Sequence, residues 1–353
     1  MRTDRDYSKL LVPGLVDFHV HVGERIAGFQ LRDGFADLSK VKGLAGIGVF
    51  VTEEASDPLS VKLARMRKDA ARNYPGKVFW HLTPVQTVIE DLIPLLAADT
   101  DLKFYTTYKP AGLYRSYAEI ERWMQDLEGI QPRMLIHCED DEIVSESSEK
   151  HPFRQPSDHC LRRPELAELK AVERILELAV KHDYPVHIVH VSAPRGALLI
   201  REAKKHCPKI TCETAPHYLL RNEKRLQGKN AHRWLCSPPF RSEESRGLMV
   251  ELAADGYFDL IASDHCPFSN DIKDMYQNDL PKVPCGIPGL QSMISDLYLD
   301  LVLKGKLSPE QLIRLTMTSP AALMGLESAD QYQLSDLISQ ASEPERSGNY
   351  STC

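Results

Sequence analysis

The chain has no CxxC pair among its eight cysteines, no basic stripe, and no secretory h-region in MRTDRDYSKLL at its start. Nor does any apolar run approach the ~20 residues that a membrane-spanning helix needs. Each absence removes a class of protein. Scattered cysteines without a repeating spacing read as reduced thiols, mostly small core residues of an intracellular enzyme, rather than a disulfide framework. Fifty acidic against 43 basic side chains give a formal charge of -7, which argues against a nucleic-acid partner. With neither signal nor span, no membrane partner is expected and the cytoplasm is the default location. No internal repeat or low-complexity tract is visible. What remains is a 353-residue chain with 42% hydrophobic and 26% charged residues, enough to bury one large core.

Apolar runs of strand length alternate with longer segments of helical period. The strand candidates are 11–22, 46–52, 77–83, 101–108, 133–139, 185–192, 210–219 and 258–265. Pro164 opens the clearest helix, in which Leu166, Leu169, Val172, Ile175, Leu176 and Ala179 recur at three- to four-residue spacing. SVKLARMRKDAARN, SYAEIERWMQDL and RGALLIREAKKH have the same character. Near-continuous apolar strands, each followed by a crossover helix, predict a parallel sheet covered by helices, and eight such units predict closure into a (β/α)₈ TIM barrel. A doubly wound sheet is the alternative, weakened because no glycine-rich phosphate loop follows the first strand. The barrel is expected over residues 11–326. Residues 327–353, polar and poor in large apolar side chains, read as a loosely attached tail.

Active sites of such barrels lie at the C-terminal ends of the strands. There the sequence puts His19 and His21, His137, His190 and Asp264 at the ends of the first, fifth, sixth and eighth strands. Strand alternation sets His19 and His21 on one face, where both imidazoles can meet one ion. A single strand-end histidine is usually a hydrogen-bonded core residue. Four histidines and a carboxylate converging on one mouth are harder to read that way. Imidazole and carboxylate suit zinc and similar metals, and a pair of ions would need a bridging anion as well. Asp264 is a candidate both for a terminal ligand and for the general base. His187 and His265 are expected to face away from the metal. Glu213, His217 and Tyr218 lie near the mouth, and Cys266 and Cys285 border the pocket without any sign of being nucleophiles.

The segments LVPGLVDFHVHVGE, LKFY, LIHCED, RRPELAELKAV, VHIVHVS, CETAPHYL, CSPPFR, ASDHCPF and GIPGLQSMI together resemble the dihydroorotases, hydantoinases and allantoinases, the cyclic amidohydrolases of the amidohydrolase superfamily. The likeness runs from about Leu11 to Leu326, in the family's order. It implies that His19 and His21 bind a buried metal, that His137 and His190 bind a more exposed one, and that Asp264 completes the site. It also implies a carboxylated lysine as the bridge. Lys103 in LKFY aligns with that lysine, whereas strand position alone favours Lys109. The implied cofactors are two divalent metal ions, zinc first among them. The implied reaction is hydrolysis of a cyclic amide or ureide by a metal-bridging hydroxide, with Asp264 moving the proton. Self-association is left open.

Three departures bear on the substrate. Gly23 stands where dihydroorotases carry an arginine for the substrate's carboxylate, Phe268 where a histidine serves the same group, and TEEASDP where an asparagine is usual. A carboxylate buried without a partner costs several kcal/mol, so a neutral ring is expected unless Arg115, Arg163 or Arg241 compensates. ASDHCPF and CSPPFR look more like hydantoinases, GIPGLQ more like dihydroorotase or allantoinase. A fourth departure is architectural: the family's accessory β-sandwich is expected to be missing or vestigial, in a barrel-only relative or a shortened chain. These losses motivate a rival class, an inactive homologue serving as a scaffold or assembly subunit, against which the complete ligand set argues.

Overall fold

The computed structural model describes residues 7–26, 28–327 and 330–338. Eight strands form one parallel sheet: β1 Leu15–Val20, β2 Leu44–Thr52, β3 Lys77–Thr83, β4 Thr100–Tyr105, β5 Met134–His137, β6 Val186–Ile188, β7 Thr211–Thr214 and β8 Leu260–Ile261. Neighbours follow chain order throughout. A parallel bridge between Val20 and His265, and a 2.8 Å bond from the His21 N–H to the His265 carbonyl, join the first strand to the segment after the last. The sheet thereby curls into a (β/α)₈ barrel, as the eight-unit pattern predicts.

The strands are apolar along their length because both faces are covered. Val49, Leu82, Leu102, Phe104, Ile136, Ile188 and Ile261 point outward into a shell shared with the helices. Val16, Phe18, Phe50, Phe79, Leu135, Val189 and Leu260 fill the inside. That inner layer leaves no room at Gly48, where a Cβ would lie 2.3 Å from the Phe18 carbonyl oxygen and 2.4 Å from His81 Nε2.

Around the barrel lie α1 Leu59–Asn73, α2 Tyr117–Asp126, α3 Glu165–Lys181, α4 Pro194–Ala203 and α5 Glu243–Ala254. Ser116 and Glu119 close a capping box at the start of α2. In α3 the stripe starts later than its spacing predicts. Leu169, Val172, Ile175, Leu176 and Ala179 are buried, but Leu166 is 60% exposed. Ala167 and Glu168 take the inward places of the first turn instead. Among the described residues no helix is long and apolar enough to cross a membrane.

Two differences from the sequence reading concern the flanks of the barrel. The segment 11–22 is not one strand. Leu11–Pro13 pairs antiparallel with Gln331–Gln333, and only after Gly14 does the chain enter the barrel. The loose tail expected from residue 327 is also wrong for residues 330–338. Beyond that short strand, the helix Leu334–Ile338 buries Leu334 and Leu337, and Asp336 pairs with Lys42 at 3.0 Å. A three-residue strand and a five-residue helix are too short to show a period, so composition alone made this stretch look unattached. Residues 328, 329 and 339–353 of the expected tail lie outside the described residues.

Docking of this segment predicts its worth. Leu334→Ala and Leu337→Ala should each cost about 2–4 kcal/mol in denaturant unfolding, as other buried leucines do. A loss under about 0.5 kcal/mol, the level of a surface substitution, would show that the segment does not pack in solution.

Candidate metal centre

The mouth of the barrel is built from strand ends that depart from regular geometry. On β1, Asp17 pairs with Ile47 but Val20 with Val49, so three steps on β1 match two on β2. This irregularity lets Phe18 and His19 both face inward: Phe18 sits in the inner layer, and the His19 ring lies 4.4 Å from that of Phe50. Alternation then resumes. Val20 joins the outer shell, and His21 stacks on Phe50 at 4.5 Å.

The structure brings His19, His21 and Asp264 together, each offering a ligand atom within 4.8 Å of the others. His19 Nε2 lies 3.1 Å from Asp264 Oδ1, and His21 Nε2 lies 4.0 Å from the same oxygen. His137 and His190 form a second group, with Nδ1 of the first 2.9 Å from Nε2 of the second. The His19 and His190 rings, 5.4 Å apart, connect the two groups. Lys103 faces inward from β4 and is 1% exposed, its Nζ 5.1 Å from the Phe50 ring centroid and 4.9 Å from that of Tyr105. Lys109 is elsewhere. β4 ends at Tyr105, Tyr108 turns the chain at φ 71°, and Lys109 reaches solvent, paired with Asp141 at 3.1 Å. Strand parity does not extend across that turn.

Burial and pairing set the charges. Burial alone would raise the Asp264 carboxyl, but the charge and hydrogen bond of His19 hold it far below the usual carboxylate range. Burial would lower His19, yet the Glu213 and Asp264 carboxylates lift it to about 9. His21, His137 and His190 are all pushed down by burial, His137 to about 4. Burial also lowers the Lys103 amine to about 8, against the pull of Glu213 and Asp264. Three imidazoles therefore present neutral lone pairs, beside one ionised carboxylate. Nδ1 of His190 is buried with no hydrogen-bond partner. Such a donor set fits a divalent ion of the zinc type.

Three carboxylates that orient these histidines escaped the sequence reading or were only placed nearby. Glu213, inward on β7, accepts from His19 Nδ1, from His187 Nε2 at 3.1 Å and from the His190 N–H at 3.3 Å. Glu24 meets His21 Nδ1 at 3.2 Å and is braced by the buried Lys62 at 3.6 Å. Glu139 meets His137 Nε2 at 2.7 Å and accepts from Arg163 Nη2 at 2.6 Å. Both Glu24 and Glu139 stand two or three residues beyond a ligand candidate, a spacing that could have marked them.

His187, expected to face away from the metal, faces into the barrel beneath the site, edge-on to Phe18 at 5.2 Å. The chain turns at His190 (φ 38°), so alternation cannot be counted across it. His265 does point elsewhere, to Asp33 at 3.0 Å. Tyr218 is a buried pin whose hydroxyl donates to the Pro238 carbonyl at 2.7 Å. His217 lines a small cleft with Arg221, Trp234 and Ser263, and its Nε2 is buried without a partner. Cys266 packs against Leu31 and Phe268, whereas Cys285 is exposed.

No protein-family model matches the chain. A D-phenylhydantoinase of Escherichia coli O9:H4 (strain HS) is 26% identical over 331 residues, covering 89% of this chain and 70% of that protein. A dihydroorotase of Lactobacillus leichmannii is 29% identical over 329 residues, covering 90% and 74%. Among solved structures, the dihydropyrimidinase from Brevibacillus agri NCHU1002 superposes with a TM-score of 0.83 at 23% identity, over 91% of this chain and 75% of that one. A D-hydantoinase (dihydropyrimidinase) from Thermus sp. gives 0.84 at 21% identity, over 91% and 75%. The structural likenesses establish the fold.

A pH dependence follows from His19. In metal-free protein its pairing with Glu213 and Asp264 stabilises the fold fully below the ordinary imidazole value of about 6.5, and that contribution is lost as pH rises through about 9. A metal held by His19 would have to displace the same proton. Apparent zinc affinity should therefore rise from pH 6 to pH 9 with net proton release, read by calorimetry in buffers of different ionisation heat. A pH-independent affinity would remove His19 from the ligand set.

Proposed function

We infer that this chain, a cyclic amidohydrolase of the amidohydrolase superfamily, is a metal-dependent hydrolase that opens the C–N bond of a cyclic amide or ureide. The observation that carries the reading is the cluster of His19, His21 and Asp264 at the barrel mouth, facing the His137–His190 pair. The scaffold reading has no observation of its own to set against that donor set.

In this proposal His19, His21 and Asp264 would hold one divalent ion and His137 and His190 the other, and Lys103, carboxylated on Nζ, would supply the anionic ligand that a pair of ions needs. An ammonium cannot ligate a metal. With its amine lowered to about 8, Lys103 has more of the neutral form that adds to carbon dioxide and loses a proton to become a carbamate. When bound, the ions supply polarisation of the scissile carbonyl and a lowered pKa for the attacking water. The chain's own residues do the rest. The ionised Asp264, its Oδ1 toward His19, receives the water's proton on Oδ2 and returns it to the leaving ring nitrogen. Glu213, Glu24 and Glu139 fix the ring orientations of His19, His21 and His137.

We further propose a neutral ring as substrate. The three arginines that could replace the missing carboxylate partner are engaged. Arg115 donates to the carbonyls of Tyr114, Pro84 and Val85, Arg163 to Glu139, and Arg241 to Glu168. Phe268 is buried in an apolar cluster with Leu31 and Cys266. A substrate carboxylate would lose hydration without gaining a partner.

Two measurements test these readings. Lys103→Ala should abolish two-metal occupancy and ring hydrolysis, with partial rescue of both by small carboxylic acids, whereas Lys109→Ala should retain both. The opposite pattern would reassign the bridge. Among substrates, kcat/KM for hydantoin or dihydrouracil should exceed that for dihydroorotate by at least tenfold, about 1.4 kcal/mol in transition-state binding. Faster turnover of dihydroorotate would overturn the neutral-ring proposal and direct attention to Arg221, which lines the cleft beside His217 and Ser263.

A further inference from the structure

Behind the His137–His190 pair lies a buried polar chain centred on Arg241, which itself contacts none of the expected metal ligands. Arg241, 6% exposed, donates from Nε to Ser192 Oγ at 2.9 Å, from Nη1 to the Arg163 carbonyl at 2.7 Å and from Nη2 to Glu168 Oε2 at 3.1 Å. Glu168, 2% exposed in the first turn of α3, accepts from the Ser192 and Ala193 N–H groups at 2.9 and 3.0 Å and from the Ser192 hydroxyl. These contacts grip the chain immediately after His190, which carries the left-handed φ of 38°.

The same arginine reaches the other histidine. Arg163, whose carbonyl Arg241 holds, clamps Glu139 through Nε at 3.0 Å and Nη2 at 2.6 Å, and Glu139 meets His137 Nε2. One guanidinium thus braces the backbone that presents His190 and, through Arg163 and Glu139, the ring of His137. His19, His21 and Asp264 are supported without Arg241, by Glu213, Glu24 and the Asp17–Ser263 bond, and only Glu213, which also accepts the His190 N–H, touches both halves.

We propose that Arg241, with Glu168, is a positioning residue dedicated to the His137–His190 half of the site, and that it sets the affinity of one metal ion without setting that of the other. The proposal rests on the two-metal reading above. A fixed left-handed residue needs its surroundings to over-determine it, and a guanidinium with three directed donors does so where a single point charge cannot. Loss of groups that orient metal ligands commonly weakens binding 10- to 100-fold.

The test is zinc binding to metal-stripped protein, by equilibrium dialysis with elemental analysis. Wild type should bind two ions per chain. Arg241→Gln should bind the first with wild-type affinity and the second about 10- to 100-fold more weakly, matching His137→Ala in which ion is affected. Arg241→Lys, which keeps the charge toward Glu168 but not the three-way grip, should fall between. Leu334→Ala serves as a control for general destabilisation and should keep both ions. If Arg241→Gln fails to fold, the paired exchange Glu168→Gln with Arg241→Met leaves no buried charge unmatched and should show the same selective loss. Unchanged binding of both ions, or equal weakening of both, would overturn the proposal while leaving the two-metal reading intact. A wild-type chain that binds fewer than two ions would overturn the two-metal reading and this inference with it.

Discussion

One buried carboxylate, Glu213, governs how the barrel mouth is assembled. It is 1% exposed and receives His19 Nδ1 from β1, His187 Nε2 from β6 and the His190 N–H from the loop beyond β6. A charge in that position is tolerable only when paired, and removing one partner of such a buried pair typically costs about 3–5 kcal/mol. The same bonds that make Glu213 tolerable turn His19 so that Nε2 faces Asp264. Strand association and ligand orientation are therefore one event on this side of the barrel. Glu24 at His21 and Glu139 at His137 repeat the arrangement, with Lys62 and Arg163 as their counter-ions. The rings of His19, His21 and His137 each have one nitrogen tied to a carboxylate, which fixes the tautomer and raises the basicity of the other nitrogen.

The large elements were legible in the sequence because their signal is burial, and burial repeats. All eight strands fall within or overlap the apolar runs, and α3 follows the Pro164 start. Individual positions were lost where alternation was counted through a residue that does not alternate. Lys109 seemed to share a face with Lys103, but Tyr108 at φ 71° intervenes and carries it to the surface. His187 seemed to face away from His190, but the turn at His190 leaves both directed into the barrel. The bulge on β1 is equally invisible in LVDFHV, whose pattern carries no glycine or proline to mark it. Residues 331–338 were missed for a different reason: the strand offers one aromatic side chain and the helix two buried leucines, too few to show a period.

The residues that defeated the counting are also those at the candidate metal centre. Among the described non-glycine residues with positive φ are Tyr108, His190 and Asp264, all just beyond barrel strands. For such residues the left-handed region is unfavourable, by roughly 1–3 kcal/mol each, and it persists only where neighbours enforce it. Here the neighbours are identifiable. Glu213 and Glu168 hold the backbone on either side of His190. Around Asp264, Asp17 accepts the Ser263 N–H, Ser263 Oγ accepts the His265 N–H, and the His265 ring reaches Asp33. A regular strand end would send successive side chains to opposite faces. Turning the backbone at these positions instead lets Asp264 join His19 and His190 join His137, while the adjacent residue stays in the framework. The departures from strand geometry are thus what convert separate strand ends into one group of candidate ligands.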